Sequence, residues 1–314
     1  MDGVIEDGAL RRWRMHTHFA EGPDGVAAVA RRAAGLQAQD ASAVRRQLAA
    51  RGVTGPERVR SAYADGEVVS SWLMRGTLHL VPAADVRWLT GVFGPRVVAG
   101  GARRRRELGL DEPLLERALA VLPELLETPA TRAGLVAGLR ERGVAVDPDG
   151  QAPHHLMAYA AARGVLCRGS EEPTYRPLPE GRSPEPGGAL AELARWHAGA
   201  FGPVGPEDFA TWSGLGLTAA RRAFAAAGLV EVAPGLSVLP GAGPPPEGPP
   251  LERLLGPYDC FLLGYRDRRL MLDEAHARRI NAGGGVIRPA VVRDGLVVGT
   301  WRPGGGPDTV ERWA

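Results

Sequence analysis

Gln37 and Gln39 flank a single alanine, and their type and spacing could serve a reaction. Side-chain amides accept and donate hydrogen bonds, so such a pair can hold a water molecule or stabilise a developing positive charge. A neutral amide cannot act as a base near pH 7, and the adjacent Asp40 could supply the missing negative charge. Asp40 also fits a helix N-cap, which is the favoured role for it. On spacing alone, the favoured role of both amides is to cap a break between two helices, because a Q-x-Q pattern is common by chance.

The basic residues restrict the possible chemistry. All 38 of them are arginine and the 314-residue chain has no lysine. A P-loop lysine, a lysine Schiff base and a pyridoxal-phosphate anchor are therefore excluded. The formal net charge is only +2, so affinity for nucleic acid must come from local clusters. Arg103 and Arg104 belong to a run of four arginines that could contact phosphate, although such a run is by default a solvated helix face.

The remaining reactive residues predict no metal site and no cofactor. Cys167 and Cys260 are too few for a disulfide framework and form no C-x-x-C pair. His16 and His18 would point to different faces of a helix. The N-terminus lacks the pattern of a signal peptide, and no apolar stretch approaches the ~18 residues of a membrane span. We therefore expect a soluble, cytoplasmic protein without a membrane partner.

The hydrophobic pattern predicts the same order of elements three times, helices followed by a β-hairpin, which describes a winged helix. The glutamines lie in a break at 35–40 between two predicted helices. A third short helix is predicted from Pro56, and strands within 68–81 would turn at Arg75 and Gly76. In the second copy, Thr131 is the predicted N-cap and two strands flank a Ser-Glu-Glu-Pro turn.

The predicted fold class is α+β, with three tandem winged-helix units that form a concave body and a strand-rich C-terminal region. Linkers rich in proline and glycine separate the later segments. Asp294 and Gly295, between two β-branched runs, are the strongest hairpin signal. The predicted segments are winged-helix unit one at 1–82 with the glutamine motif, a helical connector at 83–130, unit two at 131–180, unit three at 189–240 and the C-terminal region at 251–314.

Several segments, in matching order along nearly the whole chain, resemble the bacterial winged-helix DNA glycosylases of the azinomycin-resistance type. These enzymes release alkylated purines and unhook interstrand cross-links. The matching segments are GLQAQD (35–40), SWLMRGTLHLV (71–81), FGPVGPEDFATWSGL (201–215), GPYDCFLLGYRDR (256–268) and GVIRPAVVRDGLVVGTW (285–301).

The resemblance implies roles for individual residues. The active-site motif of this family is a glutamine, an apolar residue and a second glutamine, which Gln37 and Gln39 match. Asp40 is a possible supporting residue, as is Arg75 if the first wing folds back over the glutamines. The family uses a hairpin on DNA near the C-terminal region, and alternating arginines along a ribbon can follow a groove. The DNA-binding candidates are Arg288, Arg293 and Arg302, followed by Arg103 and Arg104.

The expected activity is hydrolysis of the N-glycosidic bond of purines alkylated at N7 or N3. Such a base is cationic and departs without protonation, so two amides that position water suffice. Only the α-amino group of Met1 could form a Schiff base, so we expect a monofunctional enzyme that leaves an abasic site. A cross-linked base cannot swing fully out of the helix, so both glutamines should be solvent-accessible. We expect a monomer that acts on alkylated or cross-linked duplex DNA, in repair or in self-resistance to a DNA-alkylating natural product.

Two alternatives stay open from the sequence. A winged-helix transcriptional regulator would need a recognition helix whose side chains read base edges. The candidate helices, TAARRAFAAAG at 218–228 and APHHLMAYAAARG at 152–164, offer few such side chains. A structural adaptor or a catalytically degenerate family member is the other alternative.

Overall fold

The computed structural model describes residues 5–22, 24–283, 285–302 and 309–313. These residues form two compact units. The terminal unit combines Met1–Gly55 with Pro186–Ala314, and the central unit is Pro56–Glu185. No helix in the described ranges has both the length and the apolar character that a bilayer span requires.

The expected mixture of helices and antiparallel sheets is confirmed, with twelve α-helices in the described residues. The first part of the terminal unit contains α1 (Asp7–His18), α2 (Val26–Arg32), β1 (Leu36–Gln37) and α3 (Ala41–Ala49). The central unit contains α4 (Pro56–Ala64), β2 (Val68–Trp72), β3 (Leu78–Pro82), α5 (Ala83–Glu107), α6 (Glu112–Leu125), β4 (Ala130–Thr131), α7 (Arg132–Glu141), α8 (Ala152–Ala162), β5 (Leu166–Arg168) and β6 (Thr174–Pro177). The terminal unit resumes with α9 (Ala189–Phe201), α10 (Pro206–Ser213), α11 (Leu217–Ala226), β7 (Val230–Ala233), β8 (Leu236–Val238), β9 (Glu252–Leu255), α12 (Ala277–Ile280), β10 (Asn281–Gly283), β11 (Val286–Ile287), β12 (Ala290–Arg293), β13 (Leu296–Trp301) and β14 (Val310–Arg312).

The strands of the central unit form an antiparallel sheet in the order β3-β2-β5-β6-β4. Arg75 and Gly76 lie in the turn between β2 and β3 with φ of +55° and +73°, which confirms the predicted hairpin. The hairpin of β5 and β6 around the Ser-Glu-Glu-Pro turn is also confirmed. Thr131 caps α7 as predicted, because its Oγ1 accepts a hydrogen bond of 3.1 Å from the main-chain N–H of Gly134.

Helices α5 and α8 pack closely against each other in the central unit. The contact depends on Gly94, because a Cβ at that position would collide with the main-chain oxygen of Ala162. The α5 helix also packs on β2, so one long helix joins the sheet to α8.

The terminal unit contains a four-stranded sheet in the order β14-β13-β12-β9 and two separate ribbons, β10-β11 and β7-β8. Asp294 and Gly295 connect β12 to β13 with φ of +45° and +81°, as a tight hairpin turn requires, so this predicted hairpin is confirmed. The turn packs against α1, where the N–H of Gly295 lies 2.9 Å from Sδ of Met15. The turn therefore contacts another element of the same unit.

The helices of the terminal unit surround an aromatic core. The buried ring of His197 lies 5.0 to 5.6 Å from the rings of Phe201, Phe209 and Trp212. Burial lowers the pKa of His197 to about 4, so this imidazole is neutral at pH 7. Each fully buried aromatic side chain contributes about 2 kcal/mol from the removal of its apolar surface from water.

The boundary between the two units falls inside the segment 1–82 that was predicted as winged-helix unit one. The glutamine motif belongs to the terminal unit, and the hairpin with Arg75 belongs to the central unit. The three winged-helix units with their boundaries remain a prediction.

Candidate active site

The segment between α2 and α3 places Gln37 and Gln39. The chain reverses after α2 at Ala34 and Gly35, whose φ angles are +53° and +89°. The N–H of Gly35 donates to the main-chain oxygen of Ala30 at 2.8 Å and closes the end of α2. The short strand β1 then carries Gln37, and α3 begins at Ala41. The predicted break between two helices is thus a turn, a short strand and a helix cap.

The two side-chain amides of the motif contact each other. Nε2 of Gln37 donates a hydrogen bond of 2.7 Å to Oε1 of Gln39. Gln39 is exposed, whereas Gln37 is 8% exposed and Ala38 is buried. The expected solvent access is therefore met by Gln39 and not by Gln37, which is buried. The contact uses one polar atom of each amide, so Oε1 of Gln37 remains an acceptor and Nε2 of Gln39 a donor for other groups.

Asp40 has the local role that its position indicates. Its Oδ1 accepts hydrogen bonds from the main-chain N–H groups of Ser42 at 2.7 Å and Ala43 at 3.2 Å, so it caps α3. A hydrogen bond with the side chain of Ser42 is the main cause that lowers the pKa of Asp40, and the two main-chain hydrogen bonds lower it further. The carboxylate is ionised at pH 7 and follows Gln39 directly in the chain.

Arg75 lies in the central unit, exposed in the turn between β2 and β3. Together with burial, its charge lowers the pKa of His79 to about 3. A supporting role of Arg75 beside the glutamines stays a prediction.

The arginines predicted to bind DNA fall into two groups. In the central unit, Arg103 pairs with Glu107 at 3.3 Å, and Arg104 pairs with the same carboxylate at 3.0 Å and with Gln151. These contacts along one helix end are those of a solvated, charge-paired face.

The second group lies in the terminal unit, which also carries the glutamines. Arg288, Arg293 and Arg302 are all exposed. Arg288 follows β11 directly, and its N–H donates to the main-chain oxygen of Ile280 at 2.9 Å. Arg293 lies at the end of β12, where its Nε is 4.0 Å from Glu252. Arg302 directly follows β13.

The structure shows a buried polar cluster in the terminal unit that the sequence did not indicate. Arg51 donates to both carboxylate oxygens of Asp259, at 3.0 and 2.7 Å, and its Nη2 lies 2.6 Å from Nε2 of His18 and 3.2 Å from Sγ of Cys260. The Nδ1 of His18 lies 2.7 Å from the main-chain oxygen of Ala200, so Nδ1 is the donor and Nε2 accepts from Arg51. Arg51 and Asp259 are 208 positions apart, and no motif spacing could have linked them.

The charge states of this cluster argue against a reactive role. Burial lowers the pKa of His18 well below its usual value and raises the pKa of Cys260 to about 12. Burial also acts to lower the pKa of Arg51, but the Asp259 carboxylate and Cys260 together outweigh burial and raise that pKa. The cluster is therefore one ion pair beside a neutral imidazole and a neutral thiol.

Among the described residues, the side chains of this cluster also offer candidate ligand atoms for a metal ion. One donor atom each from His18, Asp259 and Cys260 lie within 4.8 Å of one another. The guanidinium of Arg51 contacts all three side chains and supplies the positive charge that a metal ion would bring. These residues therefore fit an arginine-centred cluster and do not fit a metal site.

Comparison with known proteins places the chain in a family. Residues 30–311 match the family model described as DNA glycosylase AlkZ-like. An interstrand DNA cross-link repair glycosylase of Streptomyces sahachiroi is 29% identical over 92% of this chain and 85% of its own length. The solved structure of Streptomyces sahachiroi DNA glycosylase AlkZ is similar with a TM-score of 0.72 and 26% identity, over 100% of this chain and 93% of the other. The resemblance found in the sequence is thus confirmed, and the chain belongs to the AlkZ-like DNA glycosylase family.

Proposed function

We propose that the protein is a monofunctional DNA glycosylase that hydrolyses the N-glycosidic bond of cationic, N7- or N3-alkylated purines and unhooks interstrand cross-links. The carrying observation is the hydrogen-bonded pair of Gln37 and Gln39, with the second amide exposed. The cross-link repair glycosylase that covers most of this chain supports the substrate class. A role in DNA repair or in self-resistance to an alkylating natural product follows from that substrate.

The proposed chemistry needs no strong acid. A cationic purine leaves as a neutral base, and the sugar develops positive charge in the transition state. Water forms the new bond to the anomeric carbon as the bond to the purine nitrogen breaks. Oε1 of Gln37 accepts a hydrogen bond from this water, the amide dipoles stabilise the charge on the sugar, and the proton of the water passes to solvent. Because both groups are uncharged, the site is selective for labile lesions over normal bases. Asp40, one residue beyond Gln39, adds negative charge on the same segment while it caps α3.

The absence of lysine supports hydrolysis without strand cleavage. A lyase reaction commonly proceeds through a Schiff base with an amine. The α-amino group of Met1 lies outside the described residues. We expect no borohydride-trapped adduct with DNA.

The exposed position of Gln39 supports action on cross-links. A purine tethered to the opposite strand cannot enter a deep base pocket, so an accessible amide is required. The exposed arginines Arg288, Arg293 and Arg302 of the same unit are proposed to contact phosphate, ahead of Arg103 and Arg104, which are paired with Glu107. A monomer with three winged-helix units suffices for this role, with Arg75 as a further supporting residue.

The direct test uses duplexes that carry N7-methylguanine or an N7-linked interstrand cross-link. Wild type should create alkali-labile sites in both, and Gln37→Ala and Gln39→Ala should each lower the single-turnover rate about 100-fold. Gln151→Ala is the matched control, because it removes an exposed glutamine amide in the central unit. Intact methylated and cross-linked DNA after incubation with wild type, or unchanged rates in both motif variants, would refute the proposal.

Damaged and undamaged duplexes together distinguish a glycosylase from a winged-helix transcriptional regulator. A regulator binds one undamaged sequence far more tightly than others, whereas a glycosylase binds undamaged duplex weakly and turns over damaged DNA. The family match favours the glycosylase.

A further inference from the structure

Gln47 lies on α3, the helix that follows the motif, and contacts the motif directly. Its side chain on α3 is fully buried, and its Nε2 donates a hydrogen bond of 2.9 Å to the main-chain oxygen of Gln37. The contact is made to the peptide of the first motif glutamine and leaves the Gln37 side chain itself untouched. It therefore restrains the backbone from which that side chain projects.

The main chain of Gln47 is held in turn. Nη1 of Arg51 donates to the main-chain oxygen of Gln47 at 2.7 Å and to Oδ2 of Asp259 at 3.0 Å. A continuous series of hydrogen bonds thus runs from the buried Asp259 carboxylate through Arg51 and Gln47 to Gln37, and from Gln37 to Gln39.

The segment that Gln47 restrains is short. Strand β1 has only two residues, and the turn before it contains Ala34 in a left-handed conformation. A buried amide contributes little net stability, because its hydrogen bond only replaces hydrogen bonds to water. Oε1 of Gln47 also has no hydrogen-bond partner among the described residues, so an apolar side chain of similar size would be at least as favourable at this position.

We propose that Gln47 is a positioning residue for base release: its hydrogen bond to the Gln37 carbonyl orients the Gln37 and Gln39 amides toward the attacking water. This inference rests on the proposed catalytic role of the two motif glutamines. Gln47 itself touches neither DNA nor the reacting atoms in this assignment.

The test compares Gln47→Met with Tyr265→Phe. Methionine keeps the length of the side chain and removes the donor. Tyr265→Phe is the matched control, because this fully buried tyrosine of the same unit also donates to a main-chain oxygen, that of Phe201 at 3.1 Å. Each variant loses one buried hydrogen bond, and only the hydrogen bond lost in Gln47→Met is made to the motif.

Two readouts are measured on the full-length protein. The first is the single-turnover rate of base release from N7-methylguanine duplex at saturating protein, together with the Kd for the same duplex. The second is hydrogen exchange of the segment 35–40, followed by mass spectrometry. We expect Gln47→Met to lower the rate about tenfold at an unchanged Kd and to speed exchange of the segment by about the same factor, as the loss of one hydrogen bond allows. Tyr265→Phe should change neither.

Gln47→Glu tests the donor if Gln47→Met folds poorly. Burial favours a neutral carboxyl group, whose O–H can donate to the Gln37 oxygen, so this variant should retain more of the rate than the methionine variant. Equal losses in Gln47→Met and Tyr265→Phe, or unchanged exchange of segment 35–40 in Gln47→Met, would overturn the inference. Hydrogen exchange can be measured without enzymatic activity. An inactive wild type would therefore refute the proposed function, and the exchange of segment 35–40 in Gln47→Met would still show whether Gln47 restrains the motif.

Discussion

The terminal unit contains two polar clusters, and the residue types in each cluster do not indicate its proposed role. The cluster of His18, Arg51, Asp259 and Cys260 contains the residue types that usually carry catalysis, yet it is buried around one ion pair. The pair of Gln37 and Gln39 is uncharged, and Gln39 is exposed. Helix α3 lies between them, since Asp40 caps its start and Arg51 follows its end. Reactive residue types therefore do not mark the proposed active site; the exposed amide of Gln39, together with the needs of the leaving group, does.

The largest expected effect comes from breaking the buried ion pair. Asp259→Ala leaves the Arg51 guanidinium, whose side chain is 4% exposed, without its counter-charge. We expect the free energy of unfolding to fall by about 3–5 kcal/mol in urea denaturation. Asp267→Ala is the control, because it removes a carboxylate from an exposed pair with Arg269 and should cost less than about 1 kcal/mol. Similar losses in the two variants would show that the buried cluster is not a structural anchor.

Gln39→Ala should show the opposite profile. The exposed side chain contributes little to folding, so the free energy of unfolding should change by less than about 0.5 kcal/mol. The barrier to base release should rise by about 3 kcal/mol, because one preorganised polar group is lost. Urea denaturation and single-turnover kinetics on the same preparation measure both quantities. A variant that loses stability and activity together would remove the contrast between the two clusters.

Asp40 separates capping from catalysis. Asp40→Ala should destabilise the fold by about 1 kcal/mol at pH 7, through loss of the cap on α3. The pKa of Asp40 is lowered from 3.8 in the folded state, so its contribution is complete above that value and is lost as the pH falls through the lower folded pKa. Urea titrations of wild type and variant between pH 7 and about pH 2 should therefore converge at the acid end.

Asp40→Asn is the control for that experiment. Asparagine caps a helix about as well as aspartate, so this variant should keep the free energy of unfolding at pH 7. It should lose the part of the pH dependence of that free energy that comes from the Asp40 carboxylate. Base release that is also unchanged would assign Asp40 to the cap alone, whereas a loss of tenfold or more would support the catalytic charge that its position beside Gln39 allows.

The smallest expected effect concerns the thiols. Burial raises the pKa of both Cys167 and Cys260 to about 12, so neither forms a thiolate at neutral pH. Iodoacetamide at about pH 8 should leave the folded protein unlabelled and base release unchanged, as judged by mass spectrometry and kinetics. Both cysteines should react once guanidinium unfolds the chain. Labelling of Cys260 in the folded state would show that the buried cluster opens.

Local sequence was sufficient for the elements that depend on neighbouring residues. Asp294 and Gly295, and likewise Arg75 and Gly76, were identified as hairpin turns because tight turns need residues that tolerate positive φ. Thr131 was identified as a helix cap because its hydroxyl reaches an N–H three positions later. The order of helices and hairpins followed from these signals and from hydrophobic periodicity.

The division of the chain into two units did not follow from local sequence. The boundary after Gly55 assigns the glutamine segment and the hairpin that follows it to different units, because the first 55 residues pack mostly with Pro186–Ala314. Helix α1, for example, packs on α9 and on the turn at Gly295. Contacts at such separations have no periodicity or spacing that a single sequence displays.

By itself, the sequence determined the exclusion of lysine chemistry, the turns and caps, and the family resemblance on which the prediction of Gln37 and Gln39 as the motif rests. Only the tertiary structure decided that His18, Arg51, Asp259 and Cys260 form a buried anchor, and that Gln47 holds the Gln37 peptide. The physical reason is that composition and spacing report which groups are available, whereas burial decides which of them are charged, which are satisfied by neighbours and which still reach solvent.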